Sequence, residues 1–185
     1  MKIPACLVVA CAVQIYAQGE NQTPEKNSRA GAIVIANGLE QFYINYYRLP
    51  GRAGPDAQTT TSGENDLVRI LMGKEEQDGQ KQNPRNTNFL EGIRNAKPGS
   101  NTLPVSPGRS NRWVDGLIVE KTMCGMVDGW GNYYNVRLDS DFDLQIANPN
   151  PGDGGRAKLS KRAIVWSAGK DGNIETWEDN VKSWD

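Results

Sequence analysis

The sequence predicts an α+β domain in which one amphipathic helix precedes a set of antiparallel strands. Residues 28–48 carry apolar side chains at alternating spacings of three and four, which is the pattern of one helical stripe. Residues 136–146 alternate apolar and polar side chains, which is typical of a strand with one buried face. Because the helical pattern comes first and the strand patterns follow, the order favours α+β over alternating α/β.

The first element is the helix. Its stripe consists of Ala32, Ile35, Leu39, Phe42 and Tyr46. Pro24 and the polar residues 20–27 favour a helix start, and Leu49 before a proline stops the helix. A single helix with one apolar face must cover another layer, and a sheet is its usual partner.

A short second helix is predicted over residues 64–74. Asn65 or Asp66 is placed to cap it, and Gly73 is placed to end it. The segments 51–65, 73–88 and 95–111 are rich in glycine, proline, amides or charges and are predicted to be loops.

Strand patterns are concentrated in the C-terminal half. Residues 112–121 have apolar side chains on both sides of an Asp115–Gly116 turn, and "DGWGNYY" (residues 128–134) is predicted to be a tight turn. The run "RAIVWSAG" is predicted to be the next strand, and the polar stretch after it completes the chain.

Composition excludes several classes of function. The chain has 185 residues, enough for one domain, and its formal net charge of −1 argues against a nucleic-acid partner. It contains no histidine, which removes Ser-His-Asp and Cys-His catalysis within this chain. No pair of carboxylates is singled out for hydrolysis, so we expect no catalytic residues and no enzyme activity.

The N-terminus predicts export. Residues 1–17 form a signal-like segment, and residues 18–185 are predicted to form a single domain. Cleavage after Ala17 and lipidation of Cys11 remain alternatives, and the apolar run is too short to span a bilayer. Membrane contact is expected only through this segment, with the protein in the periplasm, on the outer surface or outside the cell. Cys124 is interpreted as a small buried apolar residue.

The run "DSDFD" (residues 139–143) spaces three carboxylates like the first half of a Ca²⁺ loop, but the glycine and the later acid of an EF-hand are missing. We interpret these acids as the solvent face of the alternating strand. On that interpretation Phe142 and Leu144 point to the opposite, buried face.

The C-terminal stretch 170–180 also fails as an EF-hand. Two interpretations stay open. It is either an oxygen cage, with Asp171 at one end, Glu178 or Asp179 at the other and main-chain carbonyls between them, or a polar turn.

Four segments in order resemble type IV pilin-like proteins, with the major pseudopilins of type II secretion nearest. "QFYINYYRLP" (residues 41–50) resembles the end of their first helix, and "DGWGNYYNVRLDSDFD" resembles their strand entry after a Trp-Gly-Asn turn. "NPRNTNFLE" is similar to a middle segment, and "VWSAGKDGNIETWEDNVKSW" looks like their closing loop. The resemblance covers roughly residues 28 to 184.

The resemblance implies a fold and a function. The fold is a long N-terminal helix packed on an antiparallel sheet (pilin-like). The function is that of a non-enzymatic exported subunit in cell-envelope or surface filament assembly, with other pilin-like subunits or envelope assembly proteins as partners. The closing loop of major pseudopilins holds Ca²⁺, so the resemblance implies a structural Ca²⁺ at Asp171 with Glu178 or Asp179.

The chain departs from the family's pattern at its start. It has no Gly-Phe-x-x-x-Glu processing site before a long apolar segment, and the residues after Gly19-Glu20 are polar. The alternative function is therefore a secreted soluble ligand-binding or receptor-binding (adhesive) module on the same scaffold. Its partner would be a host or surface receptor, contacted by aromatic side chains such as Trp130 or Trp177.

Overall fold

The computed structural model describes residues 23–51, 53–76, 81–99, 108–110, 112–121 and 123–184. The signal-like segment 1–17, with Cys6 and Cys11, lies outside the described residues, and so does most of the predicted loop 95–111.

The first helix, α1, runs from Pro24 to Tyr46 and is 23 residues long. Thr23 caps its start by accepting a hydrogen bond from the Lys26 amide, and Pro24 occupies the first turn, where its missing N–H costs nothing. The helix ends at Tyr47, whose backbone is left-handed with φ 52°. Every member of the predicted stripe but Tyr46 is buried on this helix.

The second helix, α2, is shorter than predicted and covers only Leu67–Leu71. Asp66 occupies the N-cap position but makes no side-chain capping hydrogen bond. The chain turns away at Gly73, where φ is 67° and a Cβ would run into the backbone of Asn86. Glycine is therefore required at this position, since an L side chain would meet both strain and a clash.

In the part of the chain that the structure describes, ten short strands follow the first helix. They are β1 (Ala57–Thr60), β2 (Lys97–Pro98), β3 (Trp113–Val114), β4 (Gly116–Val119), β5 (Cys124–Val127), β6 (Asn135–Leu138), β7 (Ile146–Ala147), β8 (Lys158–Leu159), β9 (Ala163–Ser167) and β10 (Val181–Lys182).

The prediction of one long helix packed on one antiparallel sheet is wrong. The described strands form a four-stranded sheet in the order β1-β6-β9-β10 and three separate two-stranded sheets, β2-β3, β4-β5 and β7-β8. The physical reason is the density of Gly, Pro, Asp and Asn between the apolar runs, which stops most strands after two to four residues. The chain still combines helix with antiparallel pairing, so only the coarse α+β description is compatible with the structure.

The predicted alternating strand also stops early. β6 ends at Leu138, and Phe142 and Leu144 then take left-handed backbone conformations with φ 64° and 61°. Both side chains are exposed, whereas Asp139 is only 1% exposed. The interpretation of Asp139 as a solvent-facing strand residue, with Phe142 and Leu144 buried, is therefore wrong.

Two apolar clusters hold the described residues together. The larger one packs α1 and α2 against β5, β6 and β9, and it contains Cys124, which is 5% exposed as expected for a buried apolar residue. The smaller one lies beyond β9 and contains Trp166 and Trp184, with Trp177 packed against it. None of the described helices combines the length and apolar character needed to cross a membrane.

Candidate functional site

The C-terminal loop, defined here as residues 168–180 between β9 and β10, is closed by one carboxylate. Asp179 Oδ2 accepts hydrogen bonds from the amides of Lys170, at 2.7 Å, and Asp171, at 3.0 Å. Two amide donors on one carboxylate oxygen bring the beginning of the loop back onto its end. Asp179 is therefore used to satisfy the backbone of a tight turn.

Asp171 is also engaged within this loop. Its Oδ2 accepts a hydrogen bond from Thr176 Oγ1 at 2.6 Å, and its Oδ1 accepts one from the Asn173 amide at 2.8 Å. The Thr176 hydroxyl, and after it the Asn173 amide, lower the pKa of Asp171 from its ordinary value because they stabilise the ionised form. Asp171 stays charged and anchors a local turn.

The third predicted ligand, Glu178, is exposed. Among the described residues, the carboxylates of Asp171, Glu178 and Asp179 do not form a group whose oxygens converge. A cage completed by main-chain carbonyls needs fewer side-chain oxygens, so Ca²⁺ at this loop stays a prediction.

The Gly-rich turn at residues 128–132 is hydrogen-bonded to the C-terminal loop. Asn132 Nδ2 donates to the carbonyl of Gly169 at 2.6 Å and to Asp128 Oδ2 at 2.9 Å. Asp128 also accepts a hydrogen bond from the Ser167 hydroxyl. Arg109 joins the same network through Asn132 Oδ1, at 2.9 Å. The two motifs that sequence analysis treated separately are thus one hydrogen-bonded unit.

Asp128 is the centre of this unit and is fully buried. Burial raises the pKa of its carboxyl, and the hydrogen bonds from Ser167 and Asn132 oppose that rise. The buried group is surrounded by its own donors. Its arrangement stabilises a turn.

A tryptophan cluster covers the other side of the C-terminal loop. Trp166, Trp177 and Trp184 meet with ring centroids 6.2 to 6.3 Å apart. Trp177, proposed from the sequence as an exposed binding aromatic, is thus partly buried against its neighbours, and Trp130 is also partly covered.

A second acidic group, which sequence analysis did not assemble, lies at the far end of the four-stranded sheet. Asp56, Asp139 and Asp141 each bring one carboxylate oxygen to within 4.8 Å of the others. Asp56 was part of a predicted loop, and only its pairing across the sheet brings it to the other two. The spacing of 139–143 hinted at a cation site, but no local signal pointed to Asp56.

Next to this group lies a shallow groove of about 290 Å³ at the end of α1. It is lined by residues 47–51 and 53 together with Ser140 and Phe142. Its volume lies below the usual range of small-molecule pockets.

In comparisons with known proteins, no family model, no curated protein sequence and no solved structure matches this chain.

Proposed function

We propose that this protein is a non-enzymatic exported subunit of a cell-envelope or surface assembly, and that it works through protein–protein contact. One observation carries the proposal. Three bulky side chains, Tyr47, Phe142 and Leu144, combine left-handed backbone with exposure, and we call them the apolar patch. Their φ angles are 52°, 64° and 61°, and they are 81%, 42% and 43% exposed.

Such residues are unfavourable in an isolated chain. Left-handed backbone costs an L residue with a large side chain about 1–2 kcal/mol, and glycine or asparagine would adopt it more easily. Exposure means that the apolar side chains recover little of that cost by burial. Backbone strain of this kind concentrates at functional positions, and exposed apolar patches mark interaction surfaces.

The members of the patch come from two distant parts of the chain. Tyr43 lies between them, with its ring 6.4 Å from Tyr47 and 6.3 Å from Phe142. Tyr47 and Phe142 also line the same groove. Leu144 lies two residues beyond Phe142. A partner that seats an apolar side chain in the groove would contact both segments at once.

The absence of enzyme activity is part of the proposal. The acids of the C-terminal loop and of the Gly-rich turn act as acceptors for hydrogen bonds within the protein. The chain has no histidine to serve as a general base. These features support a binding role over catalysis.

Export and the kind of assembly are inferred from the sequence. Residues 1–17 have a signal-like pattern, and the ordered motifs resemble those of pilin-like subunits. We take a second copy of this chain as the partner to test first, because assembly subunits of that kind associate with one another. The alternative, a host or surface receptor, would use the same patch, since Trp130 and Trp177 are both partly buried.

The test compares a double variant, Tyr47→Asn with Phe142→Asn, with the wild-type protein by sedimentation over a range of concentrations. Asparagine tolerates left-handed backbone, so folding should be retained while the apolar surface is removed. We expect the wild type to associate. The dissociation constant of the variant should be at least tenfold higher, which corresponds to about 1.4 kcal/mol of association free energy.

The matched control is Val119→Thr, which removes an apolar side chain that is 42% exposed on β4, away from the patch. It should associate like the wild type. Equal association of the double variant and the wild type would contradict the proposed surface. If the wild type stays monomeric but binds cell surfaces, and the double variant does not, the patch binds a receptor and not a second copy of the chain.

A further inference from the structure

The three carboxylates of Asp56, Asp139 and Asp141 meet because of strand register. Ala57 at the start of β1 pairs with Leu138 at the end of β6. Continuing this antiparallel register by one residue places Asp56 opposite Asp139. The adjoining chain segments are also tied together, since the Gly54 amide donates to the Ser140 carbonyl at 3.1 Å. Like charges directly opposite each other destabilise a pair of strands.

Burial makes this arrangement more unfavourable. Asp139 is 1% exposed, and its Oδ2 accepts a hydrogen bond from the Leu144 amide at 3.1 Å, but its Oδ1 has no hydrogen-bond partner. The Oδ1 atom of Asp56 is likewise buried without a partner. The carboxylates that converge here thus contain two buried oxygens that no donor among the described residues satisfies, an uncommon situation in folded proteins.

Among the described residues, no positive side chain forms an ion pair with any of the three carboxylates. Arg137 on β6 donates to the carbonyl of Ala147 and to Gln58 Oε1, and its charge opposes the rise in the pKa of Asp56 without forming an ion pair with it. Burial, and then the neighbouring Asp141, raise the pKa of Asp56, and burial also raises the pKa of Asp139. The described protein groups leave the cluster short of positive charge.

We propose that Asp56, Asp139 and Asp141 bind a Ca²⁺ ion. The ligands are all carboxylate oxygens, which suit a hard cation and do not select zinc or copper. Oxygens bound to one Ca²⁺ at about 2.4 Å lie no more than about 4.8 Å apart, and the three oxygens meet this limit. The ion would supply the missing partner for the buried oxygens of Asp139 and Asp56. The remaining ligands would be water on the exposed side, where Asp141 lies.

The site has a structural consequence that goes beyond the proposed function. Ca²⁺ would join the residue before β1 to the turn after β6, and the same turn carries Phe142 and Leu144. Binding would hold these exposed side chains in their left-handed conformations. The site itself does not depend on what the apolar patch contacts.

The experiment uses the full chain after treatment with a chelator. Calcium chloride is titrated by calorimetry up to millimolar concentration, and thermal melting is recorded with and without the ion. We expect one Ca²⁺ per chain and a midpoint that rises with concentration, because an ion that binds only the native state stabilises it. No binding heat together with no rise of the midpoint would overturn the proposal.

Two variants locate the ion. Asp139→Asn should abolish binding, and its folding is safeguarded because asparagine can still accept from the Leu144 amide and removes a buried like charge. Asp141→Asn changes an exposed ligand and should weaken binding at least about tenfold. The matched control is Glu91→Gln, an exposed acid outside both acidic regions, which should bind Ca²⁺ like the wild type. Asp171→Asn tests the competing site in the C-terminal loop.

The opposite pattern overturns the proposal. If Asp139→Asn and Asp141→Asn bind Ca²⁺ normally while Asp171→Asn does not, the ion belongs to the C-terminal loop. Failure of self-association, with Ca²⁺ binding intact, would contradict the proposed function and leave the metal site standing, so the two are tested separately.

Discussion

The C-terminal loop and the turn after β6 are both acidic, but they treat their carboxylates in opposite ways. In the C-terminal loop, Asp179 and Asp171 each accept two hydrogen bonds from groups in the loop itself. In the turn after β6, Asp139 accepts one such bond and leaves its other oxygen buried without a partner. A carboxylate whose oxygens accept hydrogen bonds from its own loop stabilises that loop. A buried carboxylate oxygen without a donor is a candidate ligand for a bound cation.

The difference follows from position in the sheet. The C-terminal loop folds back on itself, so its own free amides lie beside its acids. The turn after β6 is placed next to another strand, and that strand contributes a further acid, Asp56, in place of a donor. Sequence motifs for Ca²⁺ look alike in both regions, because each offers closely spaced acids and neither carries an EF-hand pattern.

The largest expected effect concerns the unit that supports the C-terminal loop. Asp128→Ala removes the acceptor for the Ser167 hydroxyl and for two donors of Asn132 inside the protein. Because each buried donor left unsatisfied costs about 1–3 kcal/mol, we expect the free energy of unfolding to fall by about 3 kcal/mol or more. Urea unfolding measures it.

Asp128→Asn is the matched control. It keeps one acceptor oxygen, so its free energy of unfolding should fall by less than that of Asp128→Ala. An alanine variant within about 0.5 kcal/mol of the wild type, the range of surface substitutions, would show that the C-terminal loop does not depend on this carboxylate.

A smaller effect is expected from neighbouring acids of the loop. Asp179→Ala removes the acceptor of the Lys170 and Asp171 amides, so the free energy of unfolding should fall by about 1–2 kcal/mol. Glu178→Ala changes an exposed side chain and should stay within about 0.5 kcal/mol of the wild type. Equal losses in the two variants, measured by urea unfolding in the presence of a chelator, would contradict the structural role assigned to Asp179.

The smallest effect concerns how the free energy of unfolding changes with pH. The contributions of Asp171 and Asp139 should change in opposite directions between pH 3 and 7, measured without Ca²⁺. Asp171 has a folded-state pKa below its ordinary value of 3.8, so its stabilising contribution is present above pH 3.8 and is lost as the pH falls below it. Asp139 has a folded-state pKa above 3.8, so its ionised form destabilises the fold at neutral pH and this penalty is relieved as the pH falls towards 3.8.

The stability of the wild type relative to Asp171→Asn should therefore decrease on acidification, and its stability relative to Asp139→Asn should increase. The groups that face Asp139 are the Leu144 amide and the carboxylates of Asp56 and Asp141. If both stability differences changed with pH in the same direction, the proposed contrast between the two acidic regions would be wrong.

Local elements of this fold could be predicted well from the sequence. The helix stripe and the turn at Asp115 and Gly116 follow from side-chain spacing or from residues that favour particular backbone angles. The helix was predicted to stop at Leu49, and it ends slightly earlier, after Tyr46. The last long strand, β9, was likewise marked by a run of apolar residues.

The single sheet was predicted wrongly because alternation of apolar and polar residues does not show where a strand ends. Residues 136–146 alternate apolar and polar side chains except at Ser140, but β6 stops at Leu138. Beyond that residue, the apolar side chains of Phe142 and Leu144 leave the core and Asp139 enters it. Alternation predicts which residues share a face only while the backbone remains extended.

By itself, the sequence determined the local features of this protein: an amphipathic first helix, apolar strand segments separated by turn residues, and a histidine-free composition that excludes the common catalytic triads. Those properties depend on neighbours within a few positions along the chain. Only the tertiary structure decided that Asp56 lies beside Asp139, that Asp128 joins the Gly-rich turn to the C-terminal loop, and that Tyr47 and Phe142 share one exposed surface. These are contacts between distant segments, and their register is set by packing of the whole chain.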